Sequence, residues 1–91
     1  MKEYKWNIEK NIKLKFERNI TFEDIVFYIN NGNLLEIIEN PNNEMYSGQR
    51  VYILNIKNYI YYVPFNENEK EIFLITIIPS RKLTRKYLGE I

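Results

Sequence analysis

An α+β fold is predicted for this chain: two N-terminal helices packed on a four-stranded, mainly antiparallel sheet, with a short C-terminal helix. Three observations carry that prediction. Apolar residues recur at helical spacing before Gly32, and the period shortens to two after it. Turn-forming clusters separate the later apolar runs. A continuous apolar run over 72–78 stops at Pro79 and hands over to Ser80-Arg-Lys-Leu-Thr-Arg-Lys-Tyr-Leu88.

Element by element, Tyr4-Lys5-Trp6 is a short apolar start with strand character. Asn7 can cap a helix, and Ile8, Ile12 and Phe16 then lie on one face. That helix is expected to end near Arg18-Asn19, with this stripe turned to the core. Thr21-Phe-Glu-Asp24 has the form of a capping box and opens a second helix, with Phe22, Ile25, Val26 and Ile29 buried. Asn30-Asn-Gly32 stops it. Leu34–Glu39 reads as a strand, and Asn40–Gly48 as a loop rich in turn formers. Two further strands, Arg50–Ile56 and Tyr59–Phe65, are joined by the two-residue turn Lys57-Asn58. Pro64 removes a ladder donor, so this strand is expected to end there or to lie on an edge. The last strand, Glu71–Ile78, reads as central and buried on both faces.

Ninety-one residues suit a single domain, read over 1–91. A hydrophobic share of 45%, with 15% aromatic residues, suffices for a core and argues against disorder. Cysteine and histidine are both absent. Disulfides, a thiol nucleophile, the commonest general base and the commonest transition-metal ligand are therefore excluded, and no cofactor is expected. Neither a membrane-length apolar run nor the apolar centre of a signal peptide is present, which predicts a cytoplasmic location.

The net charge of +1 divides unevenly along the chain. Residues 1–18 carry +3, residues 19–80 carry −5, and residues 81–91 carry +3. If the two ends meet, they form one basic face suited to a phosphate backbone or an acidic partner; ordinary solvated lysines are the plainer reading.

Several local motifs resemble the BrnT-type toxins of bacterial toxin–antitoxin modules, small ribonucleases related in fold to the RelE and ParE group. Trp6-Asn7-x-x-Lys10-Asn11 loosely matches the family's Trp-Asp-x-x-Lys region, and Asn19-Ile-Thr-Phe-Glu-Asp24 is similar to its Gly-Val-Ser-Phe-Glu-Glu. Ile77-Ile-Pro-Ser-Arg81-Lys-Leu-Thr-Arg85-Lys86 is similar to its Ile-Ser-Ala-Arg-x-Ala-Thr-Lys-Lys ending. Where the family has Lys-His-Gly, this chain has Glu17-Arg18-Asn19. Where the family's Glu-Arg pair follows the last basic residues, it has Tyr87-Leu88.

The resemblance implies a RelE-like fold and metal-independent RNA cleavage, in which the 2′-hydroxyl attacks the adjacent phosphorus. It also implies neutralisation by a cognate antitoxin encoded beside it. Such a reaction needs fixed cations at the developing phosphoryl charge, and arginine suits it through its planar, permanently charged fork. Arg81 is the leading candidate, supported by Arg50, Arg18 and Arg85. Glu17, Lys10 or Lys13 would have to act as base, and Tyr87 or Tyr46 as proton donor or stacking surface. Ser80, Lys82, Lys86, Lys13, Arg18, Arg85 and Tyr46 are candidate RNA contacts. Trp6 and most of the eight tyrosines are expected to pack in or beside the core. Two other classes stay open: a non-catalytic protein-binding module, and an inactive toxin relative that acts in operon autoregulation.

Overall fold

The computed structural model describes residues 2–42 and 48–89; the reading of Tyr46 falls outside them. Among the described residues the elements are β1 (Glu3–Trp6), α1 (Ile8–Arg18), α2 (Phe22–Asn30), β2 (Leu34–Glu39), β3 (Arg50–Ile56), β4 (Tyr59–Glu67), β5 (Glu71–Leu74), β6 (Ile78–Pro79) and α3 (Arg81–Leu88). The α+β class holds, but the sheet is larger than four strands and is mixed. Its order is β1-β5-β4-β3-β2, with β6 also on β4. β1 runs parallel to β5, and the other pairings are antiparallel.

Alternation along β3 divides the core between the two faces of the sheet. Tyr52, Leu54 and Ile56 join Leu14 of α1 with Phe22 and Ile25 of α2. Val51 and Ile53 join Ile60 and pack with Leu83, Tyr87 and Leu88 of α3. The two N-terminal helices therefore cover one face, and α3 covers the other. β2 crosses between the two patterns through a bulge between Leu34 and Glu36. The extra residue puts Leu34 with the first cluster and Ile38 with the second.

The turns follow sequence chemistry closely. Lys57 and Asn58 both have positive φ, at 53° and 64°, as a two-residue primed hairpin turn requires. Thr21 and Asp24 form the reciprocal capping box, and Asn7 accepts the Lys10 amide at 2.9 Å. Trp6 stacks on Phe22 with ring centroids 5.7 Å apart, which makes it a core anchor.

Further expectations fail. The stripe Ile8, Ile12 and Phe16 faces solvent, with relative exposures of 73%, 65% and 91%. The face turned inward is instead the one carrying Lys10, Asn11 and the buried Leu14. Polar anchors fix that rotation. Asn11 accepts the Phe22 amide at 2.7 Å and donates to Glu23 at 2.7 Å. Arg18 donates to the Ile77 carbonyl at 2.8 Å.

The last strand is also not continuous. It breaks over 75–77 into β5 and β6, and Phe73 is 41% exposed on its outer face. The cause is Pro64, which lies buried within β4 rather than at its end or on an edge. Amide and carbonyl of one strand residue point to the same side. The Pro64 carbonyl accepts Ile75 at 2.9 Å, so its missing N–H falls opposite the break.

Candidate functional site

Helix α3 is built to hold cations in a fixed place. On its inner side lie Leu83, Thr84, Tyr87 and Leu88; on its outer side Arg81, Lys82, Arg85 and Lys86 are all exposed. The Ser80 hydroxyl caps the helix by accepting the Leu83 amide at 3.1 Å. Ser80 and Thr84 together grip Ile60 of β4. The Ser80 amide donates to its carbonyl at 2.9 Å, and the Thr84 Oγ1 accepts its amide at 2.9 Å. The Thr84 hydroxyl in turn donates to the Ser80 carbonyl at 2.7 Å. The N-terminal turn is thereby locked to the sheet.

That turn contains no acid. Acidic side chains are the stabilising choice at a helix N-terminus, each worth roughly 0.3–1 kcal/mol. Arg81 and Lys82 sit there instead, so the dipole and both cations present the same sign to solvent. Among the described residues, the side chains of Arg81, Lys82 and Arg85 have neither an ion pair nor a hydrogen bond. The Lys86 ammonium lies 5.5 Å from the centre of the Tyr87 ring. Lys82 also borders a cleft whose floor and walls include Ile38, Val51, Ile53 and Tyr62. The arrangement is a set of uncompensated cations beside an apolar cleft, which can take a polyanion.

The other candidates are placed elsewhere. Arg50 is paired with Glu67 and lies 5.4 Å over the Phe65 ring. Glu67 is shared with Lys2 at 2.7 Å, so this cluster closes on itself. Arg18 fastens α1 to the Ile77 carbonyl. Lys10 and Lys13 border a shallow depression with Asn7, Glu9, Ile75 and Thr76, and Glu17 is exposed. These α1 residues belong to a helix on the sheet face opposite α3, so the two basic ends do not make one shared face.

Tyr87 donates its hydroxyl to Glu36 on β2. That hydrogen bond is the main reason its pKa rises above the ordinary phenol value, with burial a smaller cause. Its hydroxyl is thus committed to tying the end of α3 to the sheet edge. Glu36, Tyr62 and Thr84 were not foreseen as parts of this region. For Thr84 a signal existed: it interrupts the basic run on the side occupied by Leu83 and Tyr87. Nothing in the local sequence linked Glu36 to Tyr87 across 51 residues.

The chain has no significant match among protein-family models, curated proteins or solved structures. Among the described residues, no helix is long and apolar enough to cross a membrane.

Proposed function

We propose that this chain is an RNA-binding domain of the toxin type, cleaving RNA without a metal and held inactive by a cognate antitoxin in the cytoplasm. One observation carries the binding part: the outer side of α3 bears Arg81, Lys82, Arg85 and Lys86 with no acid between them. Phosphates spaced along a single strand meet such a row favourably, and association is expected to weaken steeply with salt.

The cleavage part rests on the resemblance of 77–86 to the toxin ending. In this reading the 2′-oxygen bonds to phosphorus as its proton passes to solvent water, the P–O5′ bond breaks, and the 5′-oxygen takes a proton from water, leaving a 2′,3′-cyclic phosphate. Arg81 neutralises charge on the non-bridging oxygens, and Ser80 and Thr84 hold its backbone in place. The test is inducible expression in a bacterium with and without the neighbouring reading frame, followed by incubation of RNA with purified protein and a chelator. Growth arrest relieved by the neighbour, with cleavage that survives chelation, is the expected outcome. Intact growth and intact RNA would reject it.

A second reading keeps the binding and drops the chemistry. The engagement of Arg50 with Glu67 and of Tyr87 with Glu36 favours it, because both would be needed free as extra cation and proton donor. RNA bound without cleavage, together with repression of the operon, would mark this inactive relative.

A further inference from the structure

We infer that the solvent-facing stripe of α1 is a self-association surface, on which a second copy of this chain docks its own α1 in antiparallel orientation. The stripe holds the three most exposed large apolar side chains among the described residues. Ile8, Ile12 and Phe16, each four residues from the next, are 73%, 65% and 91% exposed. At about 100° per residue they form one line along the helix, roughly opposite the buried Leu14. Scattered exposed apolar side chains are ordinary, whereas a contiguous row marks a contact surface. An open groove beside it, lined by Ile12, Phe16, Thr21 and Glu23 among others, gives a facing side chain somewhere to seat.

The charges bordering the stripe choose the occupant. Glu9 and Glu23 stand near it with Lys13 and Lys15, so an acidic partner would meet carboxylates and a basic one would meet lysines. A second copy resolves this. In a two-fold antiparallel pair each border of the stripe faces the same border of its mate. Glu9 and Lys13 lie on one border and are disposed symmetrically about residue 11, one position from the stripe's midpoint at Ile12. The two-fold therefore sets Glu9 against Lys13 of the other copy, twice. Within one protomer these two residues form no ion pair despite their i, i+4 spacing, and both are exposed. A single helix pair buries less than the about 800 Å² per partner of a standard interface, so the dimer is expected to be weak and concentration-dependent.

Sedimentation velocity from micromolar to millimolar protein tests the inference. The wild type is expected to shift from monomer to dimer, and Phe16→Glu to remain monomeric with an unchanged circular dichroism spectrum. Glu9→Lys and Lys13→Glu should each weaken the dimer, since like charges then meet. An equimolar mixture of these two variants should associate again, because both cross-pairs become opposite in sign. A wild type that stays monomeric at every concentration overturns the inference. So does a dimer indifferent to Phe16→Glu, or a mixture no tighter than its components. Monomeric protein whose Phe16→Glu variant escapes neutralisation by the neighbouring gene product would give the stripe to a different partner, and so reject self-association.

Discussion

Thr84 and Ile60 are joined by a buried hydrogen bond: the threonine Oγ1 accepts the Ile60 amide at 2.9 Å, and Thr84 has no exposed surface. Replacing the hydroxyl by a methyl group of similar size strands that amide away from water. Thr84→Val is therefore expected to lose about 1–3 kcal/mol of stability, while Thr84→Ser retains most of it. Urea denaturation of the three proteins measures this directly. A Val variant as stable as wild type would mean that the amide finds another partner.

The outer side of α3 makes a graded prediction about salt. If Arg81, Lys82, Arg85 and Lys86 each neutralise one phosphate, neutralising any one lowers the slope of log K against log salt by about 0.7 for single-stranded RNA. Titrations of a labelled oligonucleotide at several salt concentrations give the slopes. Glutamine at Lys13, on the opposite sheet face, should leave the slope unchanged.

Arg81 separates binding from chemistry. Arg81→Ala is expected to cut RNA cleavage by roughly 10²–10³, the usual cost of losing one donor to transition-state charge. Arg81→Lys should also be impaired, because a point charge does not reproduce the two-pronged grip. Single-turnover cleavage under saturating protein is the measurement. Toxicity that persists in the alanine variant would move the reacting centre away from α3.

Tyr52 supplies an alkaline limit to stability. Tyr52 as a residue is 5% exposed, and burial, reinforced by Tyr4, pushes its pKa well above the ordinary value near 10. Arg50 opposes the shift without cancelling it. The folded protein thus holds the proton after the unfolded chain has released it. The stabilisation is complete below pH about 10 and declines as pH rises from there. The unfolding midpoint of wild type should fall relative to that of Tyr52→Phe between neutral pH and strong alkali, since phenylalanine has no proton to lose. Parallel curves would show that other tyrosines set the limit.

Local chemistry was legible in the sequence wherever it sufficed to dictate structure. The Lys57-Asn58 turn, the Thr21–Asp24 box and the basic run of 81–86 all depend on residues within a few positions of one another. The rotation of α1 was not legible, because fourfold spacing names a stripe without saying which way it faces. Asn11 and Arg18 set that direction through bonds to Phe22 and Ile77, and two of the stripe's three members are β-branched residues a core would also accept. Pro64 signals a strand end or an edge because a missing donor is usually hidden there. Here the neighbouring strand yields instead, at 75–77, and β4 continues to Glu67. The handover from strand to basic helix at Pro79 marked α3 as the segment of interest, yet the division of charge along the chain suggested that Lys10 and Arg81 meet, when the sheet lies between their helices.

The interruption opposite Pro64 also decides how α3 can come away. A continuous final strand would tie this helix to the full length of the β4 ladder. As built, the helix follows a two-residue strand, and its first turn is fastened chiefly to the two backbone groups of Ile60. Opening the cationic segment thus breaks the Ile60 bonds, the packing of Leu83, Tyr87 and Leu88 and the Tyr87–Glu36 bond, but no long strand ladder, so the β3–β4 hairpin can stay folded. Amide exchange should proceed faster in residues 83–88 than in 51–56, and bound RNA should slow only the former.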